Sequence, residues 1–179
     1  RSIMSLPKEY SLVKNTAGQY VVAQKFAQQI NTLFTPATLL SEDDFAAIEI
    51  KSPVYKLSGE LSLLQGETGA IRLFAEQQAQ ITITAKGGEL VVCSYRDYLG
   101  SNEVMQKEFP HNYQFKQPCA TQAVAFELVV DNGAVELLLA DGLLSMTQLY
   151  YPQQPNGNLS LSGQGWSQVA LATCSHRIN

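Results

Sequence analysis

A chain of 179 residues suits one ordinary domain with at most a short appendage, and 45% hydrophobic content is enough to bury a core of that size. A net charge of -4 over scattered lysines and arginines argues against a nucleic-acid surface, which needs a basic face to displace counterions. No run approaches the ~18 consecutive apolar residues of a membrane span. Charged residues make up only 16%, so the polar surface leans on Gln, Ser, Thr and Asn. Sugar-handling proteins and plain β-proteins share such a neutral, hydrogen-bonding surface. The N-terminus lacks the charged-then-apolar order of a signal peptide, but a fragment would lack it whatever its parent's destination, so localisation stays open.

In chain order, residues 10–13 and 19–22 flank Asn15-Thr16-Ala17-Gly18, a turn-rich hairpin signal. Phe26, Ile30, Leu33 and Phe34 then recur at helical spacing, which predicts a short amphipathic helix ended by Thr35-Pro36. From Phe45 the pattern changes to period two. Ile48 and Ile50 alternate with polar residues, Tyr55, Leu57, Gly59, Leu61 and Leu63 share one face, and Ile71/Leu73 and Ile81/Ile83 follow. Apolar runs continue at 90–92, 123–130, 135–139, 143–151, 159–161 and 166–172. Gly66-Glu67-Thr68-Gly69, Lys86-Gly87-Gly88, Asp131-Asn132-Gly133, Asp141-Gly142 and Pro155-Asn156-Gly157 punctuate them as turns. The gap from Tyr95 to Gln122, with Pro110 and Pro118, reads as a loop or irregular crossover. Many short strands with no helix-period segment between them define an all-β fold: a two-sheet antiparallel β-sandwich with a short N-terminal hairpin and one linking helix. The division falls at 1–36, hairpin and linker, and 37–179, the sandwich. Leu57, Leu61 and Leu63 should point inward together, as should Phe126, Leu128 and Val130.

Few residues suggest chemistry. Cys93, Cys119 and Cys174 are odd in number and widely spaced, so neither a structural disulfide nor a metal or redox motif is expected. Cys93 reads as a small buried apolar residue. His111 and His176 have no ligand-spaced partner. Glu42-Asp43-Asp44 lacks the spacing of a calcium loop and reads as a solvated turn. Asp131 and Asp141 are explained by their turns. No Ser-His-Asp arrangement, nucleophile elbow or phosphate-binding glycine loop is present, so no catalytic residue, metal ligand or cofactor is assigned. Aromatic faces stack on sugars, which makes Tyr95, Tyr98, Tyr113 and Tyr151 candidate carbohydrate contacts. Trp166, within Gly165-Trp166-Ser167-Gln168-Val169, reads instead as a strand residue packed on the core.

Short motifs add a family resemblance. Ser5-Leu6-Pro7-Lys8-Glu9-Tyr10-Ser11-Leu12 resembles the Leu-Pro-Arg-Glu-Leu segment that closes the catalytic propeller of glycoside hydrolase family 32, the β-fructosidases (invertases, inulinases, levanases). Gly18-Gln19-Tyr20-Val21-Val22 and residues 24–34 are similar to the family's Gly-Tyr-x-Leu-x-Gln-x-Pro stretch. Residues 126–131, then Val135-Glu136-Leu137 and Asp141-Gly142, look like its late signature, an apolar strand ending in Asp-Arg-Ser, then Val-Glu-x-Phe and an Asp-Gly turn. Asn132-Gly133 stands where the family has Arg-Ser, so no role of that Arg carries over. The resemblance implies a C-terminal sandwich module that begins where the catalytic domain ends, with residues 1–36 supplying the end of the propeller.

The same resemblance implies a parent that hydrolyses β-fructosidic bonds in sucrose, inulin or levan with two carboxyl groups. Here Gln154 precedes Pro155-Asn156-Gly157 where the family's nucleophilic Asp stands, Arg96-Asp97 is followed by Tyr98 rather than Pro, and no Glu-Cys pair exists. The chain alone is therefore expected to be inactive. Its implied partners are the parent's catalytic β-propeller, a fructan, and a second copy of the chain through the N-terminal segment. The alternative reading is an autonomous, lectin-like carbohydrate-binding sandwich, and the discriminating observation is the coding sequence upstream.

Overall fold

The computed structural model describes residues 5–15, 18–74, 79–96, 112–118, 123–150, 152 and 157–174. Its strands in chain order are β1 (Lys8–Lys14), β2 (Tyr20–Phe26), β3 (Thr38–Leu39), β4 (Ile48–Ile50), β5 (Val54–Ser62), β6 (Thr68–Leu73), β7 (Ala79–Lys86), β8 (Glu89–Arg96), β9 (Asn112–Pro118), β10 (Ala123–Asp131), β11 (Ala134–Leu139), β12 (Leu144–Leu149), β13 (Gly157–Ser162) and β14 (Trp166–Thr173). β1 and β2 form a separate hairpin. One six-stranded sheet runs β12-β11-β10-β5-β14-β3, and a second runs β4-β13-β6-β7-β8-β9. The strand pairings are antiparallel. This is the all-β sandwich that the alternation predicts.

Register explains how the core is assembled. Leu57 sits opposite Leu128 on one side and Leu171 on the other, Leu128 opposite Leu137, and Leu137 opposite Met146. Cross-strand partners share a face, so this row presents one apolar band to the second sheet. The second sheet answers with Leu161, Ile71 and Ile81 in register. Leu57, Leu61 and Leu63 are buried together, as are Phe126, Leu128 and Val130. Trp166 closes one side of the core, edge-on to Phe126 at 5.3 Å, and its indole donates to the Ser162 carbonyl at 3.0 Å. The indole N–H thus stays satisfied although the ring is buried.

Three elements differ from expectation. The linking helix is a 3-10 run, Gln28–Leu33, because residues up to Phe26 remain paired with β1 and leave few positions before Thr35-Pro36. A 3-10 run suits so short a connector. Phe26 and Ile30 still face the sandwich, where they pack with Val129 and Leu138. Secondly, β9 lies inside the interval read as a loop: Tyr113 and Phe115 alternate with polar residues and pair with β8. Pro118 is tolerated because β9 is the sheet's edge. Thirdly, Cys93 is half-buried and accepts from Gln114 Nε2 at 3.3 Å, since the partners opposite it are Thr82 and Gln114 rather than core residues.

β11 is buried along all six residues, unlike the alternating strands around it. Its inner side chains, Val135, Leu137 and Leu139, belong to the main core. Its outer side is covered by the N-terminal segment, since Leu138 packs with Phe26 and Ile30 and with the partly buried Leu6 and Phe34. The hairpin and connector are thus a third layer on the first sheet.

Candidate functional site

The buried polar side chains among the described residues gather in two places. The first is on the outer face of β11 and β12, where Glu136 and Thr147 stand in register. Glu136 is buried, and its carboxylate receives the Leu6 backbone N–H, the Thr147 hydroxyl at 3.2 Å and the Lys8 ammonium at 2.6 Å. Lys8 also donates to Thr147 at 3.3 Å and lies 6.0 Å from the centroid of the Phe26 ring. A buried carboxylate is tolerated only when paired and hydrogen-bonded, and this one is both. The Asp141-Gly142 turn completes the contact: Gly142 has φ +80° and its carbonyl accepts the Gln24 N–H at 3.0 Å. A Cβ on Gly142 would lie 1.6 Å from the Gln24 carbonyl oxygen, so only glycine permits this approach.

The second cluster ties the two sheets together. Ser94 on β8 bonds to the Tyr150 hydroxyl at 2.6 Å and donates to Gln148, while Arg96 donates to the Leu149 carbonyl at 2.6 Å. Burial pushes the Tyr150 phenol up to about 12, against the opposing pull of the Ser94 hydrogen bond and the Arg96 charge. Arg96, part of the Arg96-Asp97 dipeptide, is thereby engaged in holding β8 to β12; Asp97 lies outside the described residues.

Other acidic side chains also have structural partners. Glu127 pairs with Lys56, Glu9 with Lys25 at 3.1 Å, and Glu49 with Lys51 at 3.6 Å. Asp44 caps a 3-10 turn by accepting from Ser41, and that side-chain hydrogen bond holds its carboxyl below the usual carboxylate range. Glu42-Asp43-Asp44 is thus an exposed capped turn. Among the described residues no group of three or more His, Cys, Asp or Glu could hold a metal ion, and no helix is long and apolar enough to cross a membrane. Neither Cys93 nor Cys174 is in a disulfide.

Of the four candidate tyrosines, Tyr98 and Tyr151 lie outside the described residues, as do Cys119, His111, His176, Gln154 and Pro155-Asn156. Tyr95 and Tyr113 are exposed on β8 and β9. Tyr95 pairs with Asn112 and Tyr113 with Ser94, so the two rings lie on opposite faces of the sheet. They do not form one platform. Tyr113 leans on Phe115 instead, with ring centroids 6.0 Å apart.

A feature that the alternation alone could not reveal is the exposed outer stretch of the hairpin, on the strand face that Lys8 and Phe26 share at its docked base. Leu12 and Val22 are direct cross-strand partners, flanked by Tyr10 and Tyr20. All four are exposed, by 70%, 52%, 68% and 71% respectively. Scattered exposed apolar residues are ordinary, but four contiguous ones on a two-stranded sheet mark a surface that a neighbour can cover.

Fold and site together define a two-sheet antiparallel β-sandwich that carries a docked hairpin on one sheet. The family model described as glycosyl hydrolases family 32 C terminal matches residues 19–176, and the chain belongs to that family. Solved structures with this fold include a sucrose-6-phosphate hydrolase from Lactobacillus gasseri, at 15% identity and TM-score 0.68, covering 93% of this chain and 33% of that one. An exo-inulinase from Aspergillus awamori matches at 14% identity and TM-score 0.69, covering 96% and 35%. Fructan 1-exohydrolase IIa from Cichorium intybus matches at 12% identity and TM-score 0.65, covering 92% and 40%. The chain therefore spans between a third and two fifths of the length of these enzymes. Among curated proteins none matches it by sequence.

Proposed function

We propose that this chain is the non-catalytic C-terminal module of a β-fructosidase, and that it packs on the parent's catalytic propeller and stabilises it. The observation that carries this reading is the exposed patch of Tyr10, Leu12, Tyr20 and Val22 on a hairpin that is anchored at its base and free along its face. A rigidly held apolar face suits a permanent neighbour, and family membership supplies a neighbour of the right kind: a catalytic domain built of strands. The parent's substrates would be sucrose or fructans such as inulin or levan. Residues 1–36 would complete the propeller and 37–179 would form the buttress.

Calorimetric titration of the chain with its cognate catalytic domain tests this. Each of Leu12→Asp and Val22→Asp should weaken binding by about 10-fold or more, since each removes roughly 1.5–3 kcal/mol of apolar burial. The sandwich signal in circular dichroism should stay unchanged. Unaltered affinity in both variants would overturn the assignment of this face. So would tight binding of inulin oligosaccharides with no affinity for the catalytic domain, which is the behaviour of an autonomous lectin-like sandwich.

A further inference from the structure

Leu6 and Glu136 are 130 positions apart, yet the N–H of one bonds to the carboxylate of the other. The Lys8 and Glu136 side chains are only 6% and 5% exposed. The first sheet offers Glu136 a hydroxyl, from Thr147, but its cation comes from the N-terminal segment. We propose that Glu136 is an anionic socket on the outer face of the sandwich, that Lys8 is the cation that closes it, and that this ion pair decides whether the N-terminal hairpin is docked. The inference deepens the docking role above, because whatever adjoins the hairpin is held at the angle this socket sets. It rests on contacts within the chain, however, and its failure would leave the apolar face of the hairpin available.

Two physical arguments support the assignment. A buried carboxylate stripped of its cation is left uncompensated, so removing Lys8 should cost far more than removing a surface ion-pair partner. An isolated two-stranded hairpin is marginal in water, so β1 and β2 depend on being held against a larger body. Further anchors include the Gln24–Gly142 hydrogen bond and the apolar contacts of Leu6, Phe26 and Ile30, and the connector adds Asn31–Lys56 and Thr35–Thr173 hydrogen bonds.

Amide hydrogen exchange on the intact chain tests the socket. In Lys8→Met and in Glu136→Gln, exchange of the Leu6 and Gln24 amides and along β1 and β2 should quicken by ~100-fold. β5, β10 and β14 should keep their protection, which certifies that the sandwich is folded. Lys8→Arg should stay within a few-fold of the parent chain, because it keeps the charge and the reach. The Gln24 amide matters most, since it bonds to Gly142 and touches neither partner of the ion pair. Unchanged exchange at Gln24 in both charge-removing variants would overturn the proposal, as would a loss in Lys8→Arg equal to that in Lys8→Met. Protection of the hairpin that rises with protein concentration would show the socket filled by a second copy, and would overturn its assignment to the chain's own Lys8.

Discussion

Glu136 is the residue on which the arrangement of the N-terminal layer turns, and nothing local in the sequence announces it. It stands in an apolar run, where a lone carboxylate reads as a turn-flanking or motif residue. Its meaning depends on Lys8 and Leu6, which arrive from the far end of the chain. Tyr95 and Tyr113 are the converse case. Both read from the sequence as candidate carbohydrate contacts, but their opposite faces follow only from the register of β8 with β9. Trp166 was legible because it lies in a strand between turn glycines, and it packs as that reading requires. Tyr150 carries a pH prediction. Its folded phenol is raised from an ordinary 10 to about 12, so from pH ~10 upward the folded state holds a proton that the unfolded state has lost. Stability contributed by the neutral phenol is thus fully present below pH ~10 and falls as pH rises towards 12. In Tyr150→Phe the loss of melting temperature over that interval should be smaller than in the parent chain; an identical slope would contradict the assignment.

Among the elements, strands with strict alternation and glycine turns were readable, because one buried face imposes period two. The two-residue turn at Gly87-Gly88 and the turn at Asn132-Gly133 have positive φ where expected. β9 was hidden by its setting: two prolines and a long polar interval outweighed the alternation of Tyr113 and Phe115. The linker's apolar spacing suits either a helix or a strand end followed by a 3-10 turn, and pairing of β2 with β1 decides for the latter. The third layer itself was not legible from periodicity, since the full burial of β11 comes from both sides at once. The Asp141-Gly142 turn is the element-scale test. Gly142→Ala would place a methyl group against the Gln24 backbone at positive φ, which should cost about 2–4 kcal/mol from strain and overpacking. Chemical denaturation should register that loss, whereas Gly87→Ala, at an open turn, should cost less because only backbone strain applies. Equal losses would contradict the close approach of the two layers.

At the scale of the whole molecule, membership of the family 32 C-terminal class rests on a match over residues 19–176, and the fold agrees with part of three enzymes of which this chain covers 33%, 35% and 40%. A retaining fructosidase needs a nucleophile and an acid about 5 Å apart. The sequence has Gln154 where the family's nucleophilic Asp stands and carries no Glu-Cys pair, so the isolated chain should release no fructose from sucrose, inulin or levan. Release that vanished on mutating one of its own carboxylates would contradict this. The central claim, that the hairpin face is the docking surface, is tested most directly by hydroxyl-radical footprinting of tyrosines in the chain alone, with its cognate catalytic domain, and with inulin. Tyr10 and Tyr20, at 68% and 71% exposure, should become protected by the catalytic domain while Tyr95 and Tyr113 stay reactive. Protection of Tyr95 or Tyr113 by inulin, with Tyr10 and Tyr20 equally reactive in all three samples, would contradict it.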